Sequence, residues 1–295
     1  MTAKIIDGNA VARHVRSEWK KRVEALKAKR VTPGLAVIIV GDNPASRVYV
    51  RNKVKACAEV GLHSEVHEFA ADVAPDILIR RIRELNQNPA IHGVLVQLPL
   101  PAHLEPRRLL GEISVEKDVD GFHLYNVGGL VVGENNVFPP CTPYGVQRIL
   151  EYENIPIEGQ NVVVVGASNI VGKPMALMLM AKDATVSICH IKTRDLAQYT
   201  ILADILIVAA GCPGLITAPM VKRGAVVIDV GINRLPDGRL AGDVDFESVR
   251  KKASHITPVP GGVGPMTVTM LICNTVAAAE RSAAKNAESR NPVPA

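Results

Sequence analysis

The chain has 295 residues, 47% hydrophobic and 21% charged, the balance of a folded protein long enough for two domains with separate cores. Its net charge of +5 comes from 34 Lys and Arg dispersed among 29 Asp and Glu, and aromatics make up 3%. Scattered basic charge with few rings for base stacking argues against nucleic acid and suits an anionic small molecule.

No apolar run reaches the roughly 18 residues that span a bilayer, and the N-terminus MTAKIIDGNAVARHV has no signal-peptide core, so no membrane association and a cytoplasmic location are expected. From Asn9 to Arg30 apolar residues recur every three or four positions, Val11, Val15, Trp19, Val23 and Leu26, which predicts an amphipathic helix. LAVIIVG at Leu35 to Gly41 is a continuous β-branched run ending in Gly, as in a parallel strand buried on both faces. The loop GDNPAS opens a second helix, Ser46 to Val60, and the alternation continues through strand SEVHEF, helix Pro75 to Asn88 and strand HGVLVQLPLP at His92 to Pro101. Strand and helix in regular alternation predict an α/β domain.

From Glu116 to Pro140 the chain is rich in Gly, Val, Asn and Pro and reads as a connecting segment, with a domain boundary near Pro140. Helix Pro143 to Asn154 follows, then the strands NVVVVG, ATVSICH, ADILIVAAG and GAVVIDVG, which predict a doubly wound parallel sheet. After HITPVPGGVGP comes a last helix, Met266 to about Lys285, placed to pack back on the first domain. Only the polar tail Ser282 to Ala295 reads as disordered. Cys57, Cys141, Cys189, Cys212 and Cys273 are odd in number and form no CxxC pair, so they read as reduced thiols, mostly core filler. No metal site is expected: His63 and His67 lie in a strand-like segment that spaces them too widely for zinc.

The sharpest motif is Gly166-Ala167-Ser168-Asn169-Ile170-Val171-Gly172-Lys173-Pro174, directly after a buried strand and before a helix read as Met175 to Ala181. Glycine permits a tight turn and close backbone approach, and the helix N-terminus attracts a pyrophosphate. The spacing departs from G-x-G-x-x-G at its second glycine. It departs from a phosphate-loop NTPase too, with five residues between Gly166 and Gly172 and Pro174 at the magnesium-binding position. Dinucleotide binding fits best, with a purely structural turn the alternative. The next strand ends Cys189-His190-Ile191-Lys192-Thr193-Arg194, where the absence of an acid to grip a ribose 2'-hydroxyl favours NADP over NAD.

Tyr49 and Lys53, four apart, share one helix face. A Tyr-x-x-x-Lys pair also marks short-chain dehydrogenases, but there it follows the dinucleotide turn, whereas here it precedes it. Gln97 ends a buried strand, and Pro99 and Pro101 force the chain out of the sheet, where α/β folds bind ligands. Asp118 and Asp120 add carboxylates to a loop, either as ligands or as turn formers. Pro258 to Pro265 is too apolar and rigid for a flexible linker and suits a wall against a flat ligand.

Taken together, YVRNK at Tyr49 to Lys53, VLVQLPLP, KDVDG, VVVGASNIVGKP, VIDVGINR and PVPGGVGPMTVTML closely resemble the bifunctional methylenetetrahydrofolate dehydrogenase/methenyltetrahydrofolate cyclohydrolase family of the bacterial FolD type, over roughly Ile5 to Glu280. The resemblance implies a homodimer with an N-terminal α/β catalytic domain that binds folate (1–140, with the helix at about 268–287 packed on it) and a C-terminal Rossmann-type NADP-binding domain (141–267). It implies oxidation of 5,10-methylenetetrahydrofolate with NADP, then hydrolysis to 10-formyltetrahydrofolate. Lys53 would be the catalytic lysine, Gln97 its partner, Asp120 the pterin anchor and Tyr49 the stacking ring. Leu98, Pro99 and the segment Pro260, Gly261, Gly262, Val263, Gly264 and Pro265 would line the folate site. Gly166, Ala167, Ser168, Ile191 and Ile232 would meet NADP. Some relatives carry Arg at the position of Ala167 and Ser or Arg at that of Ile191, so Lys192 or Arg194 would have to hold the 2'-phosphate. A dehydrogenase without efficient cyclohydrolase activity and a non-catalytic dinucleotide sensor are the competing functions, and the sensor has no need of Lys53 or Gln97.

Overall fold

A computed structural model describes residues 2–134 and 136–290, with only the backbone described at 288–290. In chain order the elements begin β1 (Lys4–Ile5), α1 (Gly8–Ala28), β2 (Gly34–Val40), α2 (Pro44–Val60), β3 (His63–Phe69), α3 (Pro75–Gln87) and β4 (Gly93–Val96). Next come α4 (Pro106–Leu110), a 3-10 turn at Val115–Lys117, α5 (Leu124–Val132) and α6 (Cys141–Tyr152). Then follow β5 (Asn161–Val165), α7 (Gly172–Met180), β6 (Thr185–Cys189), α8 (Leu196–Thr200) and β7 (Ile205–Val208). The chain finishes with β8 (Val226–Asp229), β9 (Asn233–Arg234), β10 (Leu240–Ala241), α9 (Phe246–Val249), β11 (His255–Ile256) and α10 (Val263–Arg290). Residues 2–13, 130–134 and 139–267 form one compact unit, and 14–129, 136–138 and 268–290 form another.

The second unit holds a three-stranded parallel sheet in the order β3-β2-β4. All seven residues of β2 are buried, as an uninterrupted apolar run in a central parallel strand requires. Ala36, Ile38 and Val40 pack with Leu78, Ile79, Ile82 and Leu85 of α3, and each fully buried Leu or Ile contributes about 2 kcal/mol of transfer free energy. Helix α2 starts two residues before Ser46, because the Asn43 side chain accepts from the amides of Ala45 (3.0 Å) and Ser46 (3.2 Å) and Pro44 takes the first helical position. It ends at Gly61, whose φ of 86° is the left-handed cap.

Two expectations for this unit need correction. Strand β4 spans four residues rather than His92 to Pro101: the Gln97 amide still donates to Ile38 O at 2.8 Å, after which Pro99 and Pro101 have no amide to donate. The expected connecting segment Glu116 to Pro140 contains a 3-10 turn and α5. Its order comes from Asp118, 1% exposed, which accepts from the amides of Phe122 (3.3 Å) and His123 (2.7 Å) and from Asn126 Nδ2 (2.7 Å). The Asn126 side-chain oxygen in turn accepts from the Phe138 amide at 3.1 Å. Such side-chain bracing leaves no trace in hydrophobic periodicity.

The first unit holds a six-stranded parallel sheet in the order β1-β11-β8-β7-β5-β6. The four expected strands are β5 to β8. The other two, β1 and β11, are two-residue strands paired to each other, too short for any alternation to be read. Lys4 and Ile5 therefore hydrogen-bond in the sheet of the later chain, although a division at Pro140 assigns them to the first domain. Val163 and Val165 of β5, Leu206 and Val208 of β7, Val227 and Ile256 build the core.

Helix α7 begins at Gly172 rather than Met175. Helix α10 begins at Val263 rather than Met266, and it runs to Arg290 through the start of the tail read as disordered; residues 291–295 lie outside the described residues. Both His63 and His67 reach the Glu65 carboxylate, at 3.0 and 3.2 Å. Among the described residues no group of three or more His, Cys, Asp or Glu could hold a metal, and no helix is long and apolar enough to cross a membrane. Among the described residues no disulfide forms: Cys57, Cys141, Cys189 and Cys273 are buried, and Cys212 is exposed.

Candidate active site

In the three-stranded unit an amine and an amide meet at the C-terminal end of β4. Helix α2 carries Lys53, only 9% exposed, and its Nζ donates to Gln97 Oε1 at 2.8 Å. Gln97 Nε2 donates to the Leu98 carbonyl at 2.6 Å, which fixes the amide so that its oxygen faces the lysine. The Leu98-Pro99 peptide is cis, and both residues are partly or fully exposed at this strand end. Tyr49, one turn before Lys53 on α2, is half-buried, and burial raises its phenol above the usual range. On the same helix Cys57 is fully buried, which pushes its thiol up to about 12, with the Lys53 cation opposing. It is a core residue and not a nucleophile.

Asp120 is half-buried in the loop before α5, and its chain neighbour is pinned. Val119 is fully buried, its carbonyl accepts from Asn274 Nδ2 at 2.8 Å, and Gly93 leaves room for it, since a Cβ there would lie 2.7 Å from Val119 Cγ2. Asp118, read as ligand or turn former, is the turn former.

In the six-stranded unit the Gly166 turn is built from backbone. Gly166 has φ +121°, and an added Cβ would stand 2.1 Å from Ala209 O; one at Gly172 would stand 1.8 Å from Gly166 O. Only glycine fits at either crossing. Ser168 Oγ accepts from the amides of Val171 (3.1 Å) and Gly172 (3.4 Å), capping α7. Ala167 is half-buried, while Ser168, Asn169 and Ile170 are exposed. A strand, a glycine turn and a helix N-terminus converge here, the arrangement at which α/β folds receive a bulky anionic group.

After β6 the chain turns tightly: the His190 amide donates to Thr193 Oγ1 (2.9 Å) and the Lys192 amide to His190 Nδ1 (3.1 Å). Ile191 is 96% exposed, and Lys192 and Arg194 are exposed beside it. Ile232, 46% exposed, lies against Gly264, where an added Cβ would be 3.8 Å from its Cδ1. Pro260 and Gly261 form a turn after a cis Val259-Pro260 peptide, Gly262 packs so closely on Gly8 that a Cβ there would meet its carbonyl at 1.8 Å, and Val263 to Pro265 start α10.

Two buried acids at this sheet edge went unread in the sequence. Asp229, the last residue of β8, is 4% exposed and accepts from the amides of Gly231 (2.9 Å), Asp243 (3.0 Å) and Val244 (2.9 Å). Burial raises its carboxyl to about 6 against those hydrogen bonds. Asp243 is fully buried and accepts from the amides of Ala210 and Gly211 and from Asn233 Nδ2. A charge ending the β-branched run VVID was the available signal for Asp229; Asp243 gave none.

The fold and these sites define an α/β enzyme with one parallel sheet built to receive a dinucleotide and another carrying a buried amine–amide pair. Residues 6–120 match the tetrahydrofolate dehydrogenase/cyclohydrolase catalytic domain, and residues 140–283 match the NAD(P)-binding domain of the same family. The bifunctional protein FolD of Nitrosospira multiformis is 66% identical over 97% of this chain and 99% of its own. The crystal structure of the bifunctional FolD enzyme from Campylobacter jejuni superposes with a TM-score of 0.93 at 52% identity, covering 95% of this chain and 99% of that one. That of Trypanosoma brucei FolD, complexed with NADP cofactor and inhibitor, gives 0.92 at 42% identity, covering 96% and 99%. The chain belongs to the tetrahydrofolate dehydrogenase/cyclohydrolase family, and its activity is the bifunctional one of methylenetetrahydrofolate dehydrogenase and methenyltetrahydrofolate cyclohydrolase.

Proposed function

We propose that the three-stranded unit binds the folate and carries the cyclohydrolase chemistry with Lys53, Gln97, Asp120 and Tyr49, while the six-stranded unit binds NADP at the Gly166 turn. The observation that carries this reading is the 2.8 Å contact between Lys53 and Gln97. The enzyme oxidises 5,10-methylenetetrahydrofolate to the 5,10-methenyl cation, and the N5 and N10 lone pairs of the substrate stabilise the charge, so that step needs no general acid. Orientation of the folate carries it. NADP supplies the hydride acceptor, and Gly166, Ala167, Ser168, Ile191 and Ile232 would hold it, with the tight backbone turn that Gly166 and Gly172 permit supporting the fit.

In the second step water adds to the methenyl carbon and one of its protons passes to the Lys53 amine; the carbon–N5 bond then opens as N5 takes that proton back, and the remaining hydroxyl proton leaves to solvent to give 10-formyltetrahydrofolate. Gln97 holds that amine in place through its fixed carbonyl oxygen. The Asp120 carboxylate accepts two hydrogen bonds from the amino-pyrimidinone edge, a bidentate match, and the Tyr49 ring covers the flat face. Leu98 and Pro99, beside Gln97 at the end of β4, line the folate. The enzyme works as a cytoplasmic homodimer.

Lys53→Met tests the base. Hydrolysis of methenyltetrahydrofolate, followed by absorbance without cofactor, is expected to fall by about a hundredfold or more, with NADP affinity retained. Normal hydrolysis in this variant would refute the role of Lys53.

A further inference from the structure

We infer that Asp243 is a positioning residue for the dinucleotide: its buried carboxylate ties the loop after β7 to the loop after β8 and so sets the shelf beside the Gly166 turn. In a parallel sheet the ligand lies beyond the C-terminal strand ends, where neighbouring connections part to opposite faces. Here that edge is formed by the loops following β5, β7 and β8, and the backbone of the β7 loop is held by the Asp243 side chain from a distant segment.

Asp243 Oδ2 accepts from the amides of Ala210 at 2.7 Å and Gly211 at 2.8 Å, and Oδ1 accepts from Asn233 Nδ2 at 2.7 Å. One carboxylate thereby ties the β7 loop to Asn233, the first residue of β9, directly after the β8 loop. Its own backbone is fixed by Asp229, which takes the amides of Asp243 and Val244. The segment is sewn further to the β7 loop by Gly214 N to Gly242 O and Ile216 N to Asp243 O. The sequence makes room for both acids with glycine: a Cβ at Gly231 would lie 2.3 Å from Asp243 Cγ, and one at Gly242 would lie 1.9 Å from Asp229 Oδ2.

The link to the cofactor turn is direct. Ala209 O, the residue before the two captured amides, is the atom on which Gly166 packs without space for a Cβ. If the loop after β7 relaxes, the surface against which the Gly166 turn is seated moves with it. Strands β7 and β8 have their own ladder hydrogen bonds, so Asp243 acts on the loops beyond them. With no exposed surface, the carboxylate has its hydrogen-bonding capacity turned inward on three N–H donors.

The inference rests on the reading that the dinucleotide occupies the Gly166 turn, and the experiment separates the two. Asp243→Asn leaves a single acceptor oxygen, which serves either the two amides or Asn233. Titration with NADP is expected to give about tenfold weaker binding. The KM for NADP should rise in step, while methenyltetrahydrofolate hydrolysis without dinucleotide changes by less than about twofold. Exchanging the pair, Asn233→Asp with Asp243→Asn, restores an acceptor opposite a donor and should recover NADP affinity. It also carries the test if the single variant fails to fold. Unchanged NADP affinity in Asp243→Asn, equal losses of both activities, or no recovery in the exchanged pair overturns the inference. Gly166→Ala run alongside decides the rest: if it weakens NADP and Asp243→Asn does not, only the role of Asp243 falls, and if neither weakens it, the site itself is misplaced.

Discussion

In the proposed function the three-stranded unit presents side chains to its ligand, Lys53 and Gln97, which are held 2.8 Å apart by a helix and a strand end. The six-stranded unit presents backbone, at a turn where Gly166 and Gly172 each leave no space for a Cβ. The contrast suits the two steps. Hydrolysis needs a group that takes up a proton, whereas hydride transfer needs two flat molecules held in register and no proton donor. Loss of function should accordingly follow deletion of a functional group in one unit and addition of a single carbon in the other.

The largest effect that would break this contrast is at Gly166. Gly166→Ala adds a Cβ that would sit 2.1 Å from Ala209 O at a φ of +121°. The turn must shift by about 1 Å, which is expected to weaken NADP binding by roughly a hundredfold while hydrolysis persists. A parallel fall in hydrolysis, measured without dinucleotide, would show that the two steps do not divide between the units.

A smaller effect concerns cofactor choice. Lys192 and Arg194 are exposed in the turn after β6. Replacing both by Ala is expected to raise KM for NADP about fivefold, the size of an exposed ion pair, and to leave KM for NAD unchanged. Equal losses with both dinucleotides would remove the 2'-phosphate from this turn.

The smallest effect sharpens the stability side of the comparison. Burial, with Lys117 nearby, lowers His92 below its usual 6.5, and its Nδ1 accepts from the Gly34 amide at 3.1 Å, as the neutral ring can. A histidine shifted down by folding contributes stability that is fully present above the unfolded value and is lost as pH falls through the folded one. Thermal unfolding followed from pH 7 down to pH 4 should show a shallow acid limb beginning near 6.5. His92→Asn, which keeps an acceptor for Gly34, should flatten it.

Long buried strands were plain in the sequence because a run such as LAVIIV has one use in an α/β protein. Lys53, Gln97 and the glycine turn were legible for a similar reason, each standing at a strand end or on a helix face next to it. Helix α5 was not, since its order comes from side chains gripping amides, Asp118 that of His123 and Asn126 that of Phe138, and not from a periodic apolar face. Nor was Asp243, whose partners lie 33, 32 and 10 residues away and belong to different loops. Local pattern records what a residue does for its own helix or strand, and it is silent on what a side chain does for another segment's backbone.

The pairing of Lys4 and Ile5 with His255 and Ile256 means that the edge strand of the six-stranded sheet is synthesised first and its neighbour some 250 residues later. A fragment cut to begin at residue 140 would look complete by its strands and turns, yet it would leave β11 with an open row of amides and carbonyls, a template for intermolecular pairing. For anyone wishing to express the dinucleotide part alone, the first dozen residues have to be grafted back, because contiguity along the chain and independence in folding are different properties here.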